Sequence, residues 1–139
     1  MNGLITLYKI EHFLYKKKCI IIPRMIQFLI RMIYSCELPP SVEIGKGTLF
    51  IHNGLGCVVH PKAIIGDNCR VYQNVTIGGR QNRGVPKIGN NVFIGAGACL
   101  LGGVNIEDNA KVGANAVVIN DIKLGGVAVG IPAKIIKYE

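Results

Sequence analysis

Residues 88–113 read IGNNVFIGAGACLLGGVNIEDNAKVG, and in that stretch an aliphatic side chain returns at every sixth position: Ile88, Ile94, Leu100, Ile106 and Val112. The step continues to Val118 and Leu124, and upstream it runs through Val59, Ile65, Val71 and Ile77. The next residue is often glycine (Gly66, Gly78, Gly89, Gly95, Gly113, Gly125). The fifth of each hexad is small or β-branched, as at Ala63, Cys69, Val92, Ala98, Ala110 and Ala116. An α-helix cannot hold this stripe on one side, because six residues turn it through about 600° and each interior glycine costs roughly 1 kcal/mol. A coiled parallel β-structure can hold it. Each hexad then forms one short flat strand with its aliphatic side chain inward, and glycine occupies the corner.

Composition agrees with a solenoid filled by small aliphatic residues. The chain has 139 residues, 50% of them hydrophobic and 17% charged, with 18 glycines, four phenylalanines and no tryptophan. That is enough apolar surface to exclude wholesale disorder, and the length fits one domain. Five cysteines is an odd number, and no CxxC pair or signal-peptide pattern accompanies them. Neither a disulfide framework nor a zinc knuckle is expected, so the thiols read as buried and free in a reducing cytoplasm. The net charge of +8 is concentrated at the N-terminus, where residues 1–36 carry six Lys/Arg against Glu11 alone. No Arg-rich helix, zinc-finger spacing or aromatic RNA-binding signature accompanies that charge, so nucleic acid is not an expected partner.

Two insertions break the register. Phe50 to Val59 is three residues longer than a hexad, and Ile77 to Ile88 is five longer. Extra residues must leave the stacked coil as loops, where function tends to gather. The first loop contains His52-Asn53-Gly54-Leu55-Gly56, and the second runs from Arg80 to Pro86. Residues 1–36 follow another rule. Leu4–Tyr15 and Arg24–Tyr34 read as helices, joined by Lys16-Lys17-Lys18 and with Pro23 at the entry to the second. Arg24, Gln27 and Arg31 form a narrow polar stripe on that helix, which predicts packing on most of its other sides. The apolar run is too short and too interrupted to span a bilayer, which takes about 20 residues. These helices are expected to cap the coil or join protomers, with peripheral membrane contact as the alternative.

Five segments together resemble the hexapeptide-repeat acyltransferases, and within them the serine acetyltransferases and the short acetyltransferases of polysaccharide clusters. They are Glu37-Leu38-Pro39-Pro40, Phe50-Ile51-His52-Asn53-Gly54, Gln73 to Gly79, Pro86-Lys87-Ile88-Gly89, and the tail Gly130 to Ile136. The resemblance implies an all-β fold, a left-handed parallel β-helix with three hexads per triangular coil, preceded by a short helical segment. Counting from Ile44 and Phe50, thirteen hexads give a little over four coils. The expected organisation is helices over 1–36, a β-helix acetyltransferase domain over 37–129 and a tail over 130–139.

The resemblance also implies a chemistry. Acetyl-CoA is the co-substrate, no metal is used, and active sites lie between the protomers of a homotrimer. His52 falls at the catalytic-histidine position and, independently, beside the first register break. An imidazole there can take the proton of an acceptor hydroxyl, which is a poor nucleophile while protonated. Glu37 stands fifteen residues before His52, where serine acetyltransferases carry an aspartate, and is the candidate to orient that imidazole. Gly79, Ala96 and Ala114 match positions whose backbone approaches the thioester or pantetheine arm, and Lys134 is a candidate partner for a CoA phosphate. Val85 stands where the serine enzymes have a second, substrate-associated histidine. On that departure a sugar hydroxyl of a surface polysaccharide is slightly favoured over L-serine as acceptor. Serine O-acetylation and a non-catalytic hexapeptide scaffold remain the alternatives. His60 reads as an outward-facing residue and His12 as structural. With only two histidines in the coil, a three-histidine zinc site is not expected.

Overall fold

The computed structural model describes residues 2–139. Two helices, α1 (Gly3–Lys16) and α2 (Ile21–Tyr34), precede a left-handed parallel β-helix of three faces. The first face stacks Glu43–Ile44, Ile64–Ile65, Lys87–Ile88 and Asn105–Ile106. The second stacks Leu49–Phe50, Arg70–Val71, Phe93–Ile94, Lys111–Val112 and Gly126–Val129. The third stacks Val58–Val59, Thr76–Gly78, Cys99–Leu101 and Val117–Val118, and Glu37 bridges to Val58 at its start. Every pairing between coils is parallel.

The hexad stripe becomes three inward ladders: Ile65–Ile88–Ile106, Phe50–Val71–Ile94–Val112 and Val59–Ile77–Leu100–Val118. All are buried. Burying each such side chain stabilises the fold by about 1.5–3 kcal/mol, which offsets the entropy of fixing short strands that could not survive alone. The stripe fails at its end. Leu124 was expected inside but is exposed. Ile122, two residues earlier, is buried and bridges to Ile106 in its place. The corner before it is shortened, so the hexad count no longer tracks the coil. The tail also departs from simple extension, because Lys134–Tyr138 folds back antiparallel onto Gly126–Val129 and covers that strand's edge.

An open coil end exposes apolar side chains and unpaired strand backbone. Here α1 covers it. Its Leu4, Ile5 and Tyr8 are buried, and the Tyr8 hydroxyl donates to Val42 O at 2.6 Å. His12 stacks on Tyr8 and its Nδ1 lies 2.7 Å from Pro40 O, so it is structural as expected. α2 begins at Ile21 rather than at Arg24. Pro23 is accommodated because the first turn's N–H groups have no intrahelical acceptor to lose. The expectation that α2 is packed on most sides does not hold within one chain. Ile26, Ile30 and Tyr34 pack inward, while Ile21, Met25, Phe28, Leu29, Met32 and Ile33 are exposed.

One ionisable group is sealed beneath this cap. Glu11 is fully buried, and neither carboxylate oxygen has a partner among the described residues. Burial, and secondarily the charge of Glu37, raise its pKa from the ordinary value of 4.5 to about 8. The folded chain therefore holds a proton that the unfolded chain releases. Stability is full below about pH 4.5 and falls as pH rises toward 8. Chemical denaturation of the wild type and Glu11→Gln from pH 4.5 to 9 checks this: the wild type should lose stability across that window, and the variant should show no such decline.

Candidate active site

His52 sits on the corner between the second and third faces, in the tight turn Ile51–Gly54 that follows the strand Leu49–Phe50. His52 and Asn53 both adopt left-handed backbone, with φ of 56° and 52°. Such consecutive non-glycine residues are costly and persist only where the surroundings hold them. The N-terminus of α1 does so. Asn2 Nδ2 donates to Phe50 O at 2.6 Å, Leu4 N donates to Asn53 Oδ1 at 3.3 Å, and Gly54 is buried with no room for a Cβ beside Leu4. The imidazole of His52 is exposed, and no side-chain hydrogen bond engages it among the described residues. It is free to meet a substrate.

Backbone hydrogen bonds stack the rest of that corner above it. Asn74 N donates to Leu55 O at 2.8 Å, Gly97 N to Gln73 O at 3.0 Å, and Asn115 N to Ala96 O at 2.8 Å. His52, Gln73, Ala96 and Ala114 therefore lie along one ridge, ordered from the capped end. Above Ala114 the tail closes the column, with Val117 N donating to Gly130 O and Ala133 N to Val117 O. Lys134 follows at the top and is exposed. At about 4.8 Å per coil the ridge is on the order of 20 Å long. Beside the ridge the coils approach closely: a Cβ on Gly95 would come within 2.7 Å of Ala114 N in the next coil.

The third face has a second edge, the corner leading to the first face, and the remaining residues collect there. Gly79 lies on this edge beside His60, whose Nδ1 accepts from Lys62 N at 3.1 Å. The loop Arg80–Pro86 projects from the same corner and is tied down where Gly103 N donates to Arg83 O. Val85 packs partly buried against the core and anchors the loop instead of presenting a polar group. Thus the structure brings His52, Ala96, Ala114 and Lys134 to one edge of the third face and places Gly79 across that face from them.

Glu37 is not brought to His52. It begins the third face, but its carboxylate accepts from Gln27 Nε2 at 2.6 Å and faces Arg31 Nη1 at 3.4 Å. No ion-pair contact with His52 exists among the described residues. The fifteen-residue separation left α2 out of account, and α2 supplies the donors that take the carboxylate. A cavity of about 660 Å³ opens there, lined by Arg24, Gln27, Arg31, Glu37 and Ser41 with Tyr15 and Phe28.

Two sets of polar groups escaped the sequence reading. Arg80 and Arg83 line a cavity of about 280 Å³ with Asn120 and Asp121, and neither guanidinium has a carboxylate within ion-pairing distance among the described residues. Their position in the second register break was the available signal. Gln73, on the His52 ridge, has a buried Oε1 without a donor among the described residues. The five thiols are free, and burial pushes the pKa of Cys36, Cys57 and Cys69 upward, away from reactivity. Among the described residues no cluster of three metal-ligating side chains occurs, and no helix is long and apolar enough to cross a membrane.

Residues 86–120 match the family profile described as bacterial transferase hexapeptide (six repeats). A serine acetyltransferase of Helicobacter pylori is 41% identical over 135 residues, which cover 95% of this chain and 78% of that protein. The chain belongs to the serine acetyltransferase family. A second member, from Synechococcus elongatus, is 38% identical over 93% of this chain and 54% of its own length. Among solved structures, a serine acetyltransferase in complex with CoA superposes with a TM-score of 0.90 at 33% identity, over 98% of this chain and 57% of that one. The Brucella abortus serine acetyltransferase gives a TM-score of 0.92 at 30% identity, over 97% of this chain and 55% of that one. The chain thus spans a little over half the length of most of these family members.

Proposed function

We propose that this chain transfers an acetyl group from acetyl-CoA to the hydroxyl of L-serine, with His52 as general base. The observation that carries the reading is an exposed, structurally held imidazole at the foot of a ridge of small residues, in a chain so similar to serine acetyltransferases. His52 accepts the hydroxyl proton, and the oxygen attacks the thioester carbonyl carbon. The tetrahedral intermediate then collapses by breaking the carbon–sulfur bond, and the departing CoA sulfur takes the proton from the imidazolium. No acyl-enzyme is needed. Ala96 and Ala114 leave room for the pantetheine arm along the ridge, and Lys134 at its far end offers a cation to a phosphate. Glu37 takes no part in this step, since Gln27 and Arg31 hold its carboxylate.

The sugar acceptor favoured on Val85 alone gives way to L-serine because the similarity to serine enzymes runs nearly the whole length of the chain. The missing histidine at position 85 is compensated within the same loop. Arg80 and Arg83 are uncommitted cations suited to a substrate carboxylate. They lie on the edge of the third face opposite His52, so one protomer does not by itself unite the parts. A homotrimer packed through third faces does: the His52 ridge of one protomer then meets the Gly79 edge of the next, and the groove between them is the active site. The outer residues Val58, Thr76, Cys99 and Val117 leave that face without charge beyond Glu37 at its start, whose carboxylate pairs with Arg31, whereas Lys87 marks the first face and Arg70 and Lys111 the second.

Thiol release from acetyl-CoA, measured with L-serine and in parallel with nucleotide-linked sugars, tests the acceptor. Turnover is expected with L-serine, and turnover with sugars alone would overturn that choice. His52→Ala should lower kcat by about 10²–10⁴-fold, the usual worth of a positioned base. Undiminished turnover in that variant would remove His52 from the mechanism. Arg80→Ala and Arg83→Ala should each raise KM for the acceptor about tenfold with little change in kcat, as expected when a charge-assisted hydrogen bond is lost.

A further inference from the structure

We propose that the uncovered face of α2 docks on an anionic lipid surface. Seven large apolar side chains of this helix face outward: Ile21, Ile22, Met25, Phe28, Leu29, Met32 and Ile33, with Ile21 74% and Met32 66% exposed. At about 100° per residue they occupy one arc of about 140°, opposite neither the packed side nor the polar stripe but between them. So large an apolar patch on a charged chain marks a contact surface. An apolar groove on it is lined by Ile20, Ile21, Met25, Phe28 and Leu29 and is bordered by Arg24.

Charge decides between occupants. α2 contains no Asp or Glu, and the single acid of α1, Glu11, is buried under the cap. Lys9, Lys17, Lys18 and Arg24 have no carboxylate within ion-pairing distance among the described residues. A second copy of this helix pair would bring cations against cations with no counter-charge, whereas phosphate headgroups supply it. Tyr15, exposed at the end of α1, lines one cavity with Ile20, Arg24 and Phe28 and so extends the apolar surface toward the lysines. The helix is too short to span and lies in the interface plane, apolar side chains among the upper acyl carbons and cations at headgroup level. This surface is separate from the His52 ridge and does not depend on the reaction proposed above.

Cosedimentation of the full chain with vesicles tests it. Vesicles of phosphatidylcholine alone are compared with vesicles containing phosphatidylglycerol, at low and high salt, and light scattering gives the mass of the protein. Partition should be about tenfold or more stronger onto the anionic vesicles at low salt and should weaken as salt screens it. Ile21→Ser/Met25→Ser/Leu29→Ser should lose about tenfold or more of that binding while keeping the assembly mass. Lys17→Glu/Lys18→Glu, which leaves the apolar arc intact, should abolish the preference for anionic vesicles. A full chain that binds neither vesicle, a triple variant that binds as well as wild type, or a triple variant whose assembly dissociates while wild type ignores vesicles would each overturn the proposal. The last outcome would assign the face to a second copy.

Discussion

Parallel strands of two or three residues cannot stand alone; each is held only by the rung above and the rung below. A full turn without insertions is eighteen residues, as in the pairing of Ile88 with Ile106 and Ile94 with Val112. Because side chains alternate across a strand, a slip of one residue would turn a buried ladder outward. Extra residues are therefore tolerated only where they leave the prism at a corner. The two insertions do so on the two edges of one face, and the candidate chemistry lies at those edges. The His52 turn is paid for in strain, and α1, which closes the open coil, is also the element that pins it through Asn2 and Leu4.

The ladder was legible because it depends on one residue type at one interval, which the chain repeats from Ile44 to Val118. It became illegible where that interval changed: the shortened corner that buries Ile122 and exposes Leu124 carries no glycine or proline signal of its own. The place of His52 at an exposed corner was legible because the register break falls there. The fate of Glu37 was not, since separation along the chain says nothing of a helix that returns over the same face and offers Gln27 and Arg31. Glu11 was hidden for a related reason. On a helix wheel it is an ordinary charged residue, and only the closure of α1 over the coil makes it a buried one.

Membership of the serine acetyltransferase family does not remove this chain's individuality. Where the resemblance implies a polar loop residue, Val85 anchors the loop, and Arg80 and Arg83 of the same loop have no carboxylate within ion-pairing distance among the described residues. The exposed α2 face lies on the N-terminal helices. Both features sit outside the hexad lattice, where substitution does not disturb the stacked coils.

In the proposed function the groove is completed only where the His52 ridge of one protomer meets the Gly79 edge of another. Mixed assembly measures this directly. His52→Ala chains and Gly79→Trp chains, each inactive alone, are unfolded together, refolded into shared oligomers and assayed for acetyl transfer. A Cβ at Gly79 meets only ordinary contacts, the nearest at 3.6 Å, so the bulky variant blocks the groove and spares the backbone. Recovery of activity in the mixture is the predicted result, because intact edges from unlike chains then face each other. A mixture as inactive as its components would place the whole site within one protomer and contradict the account.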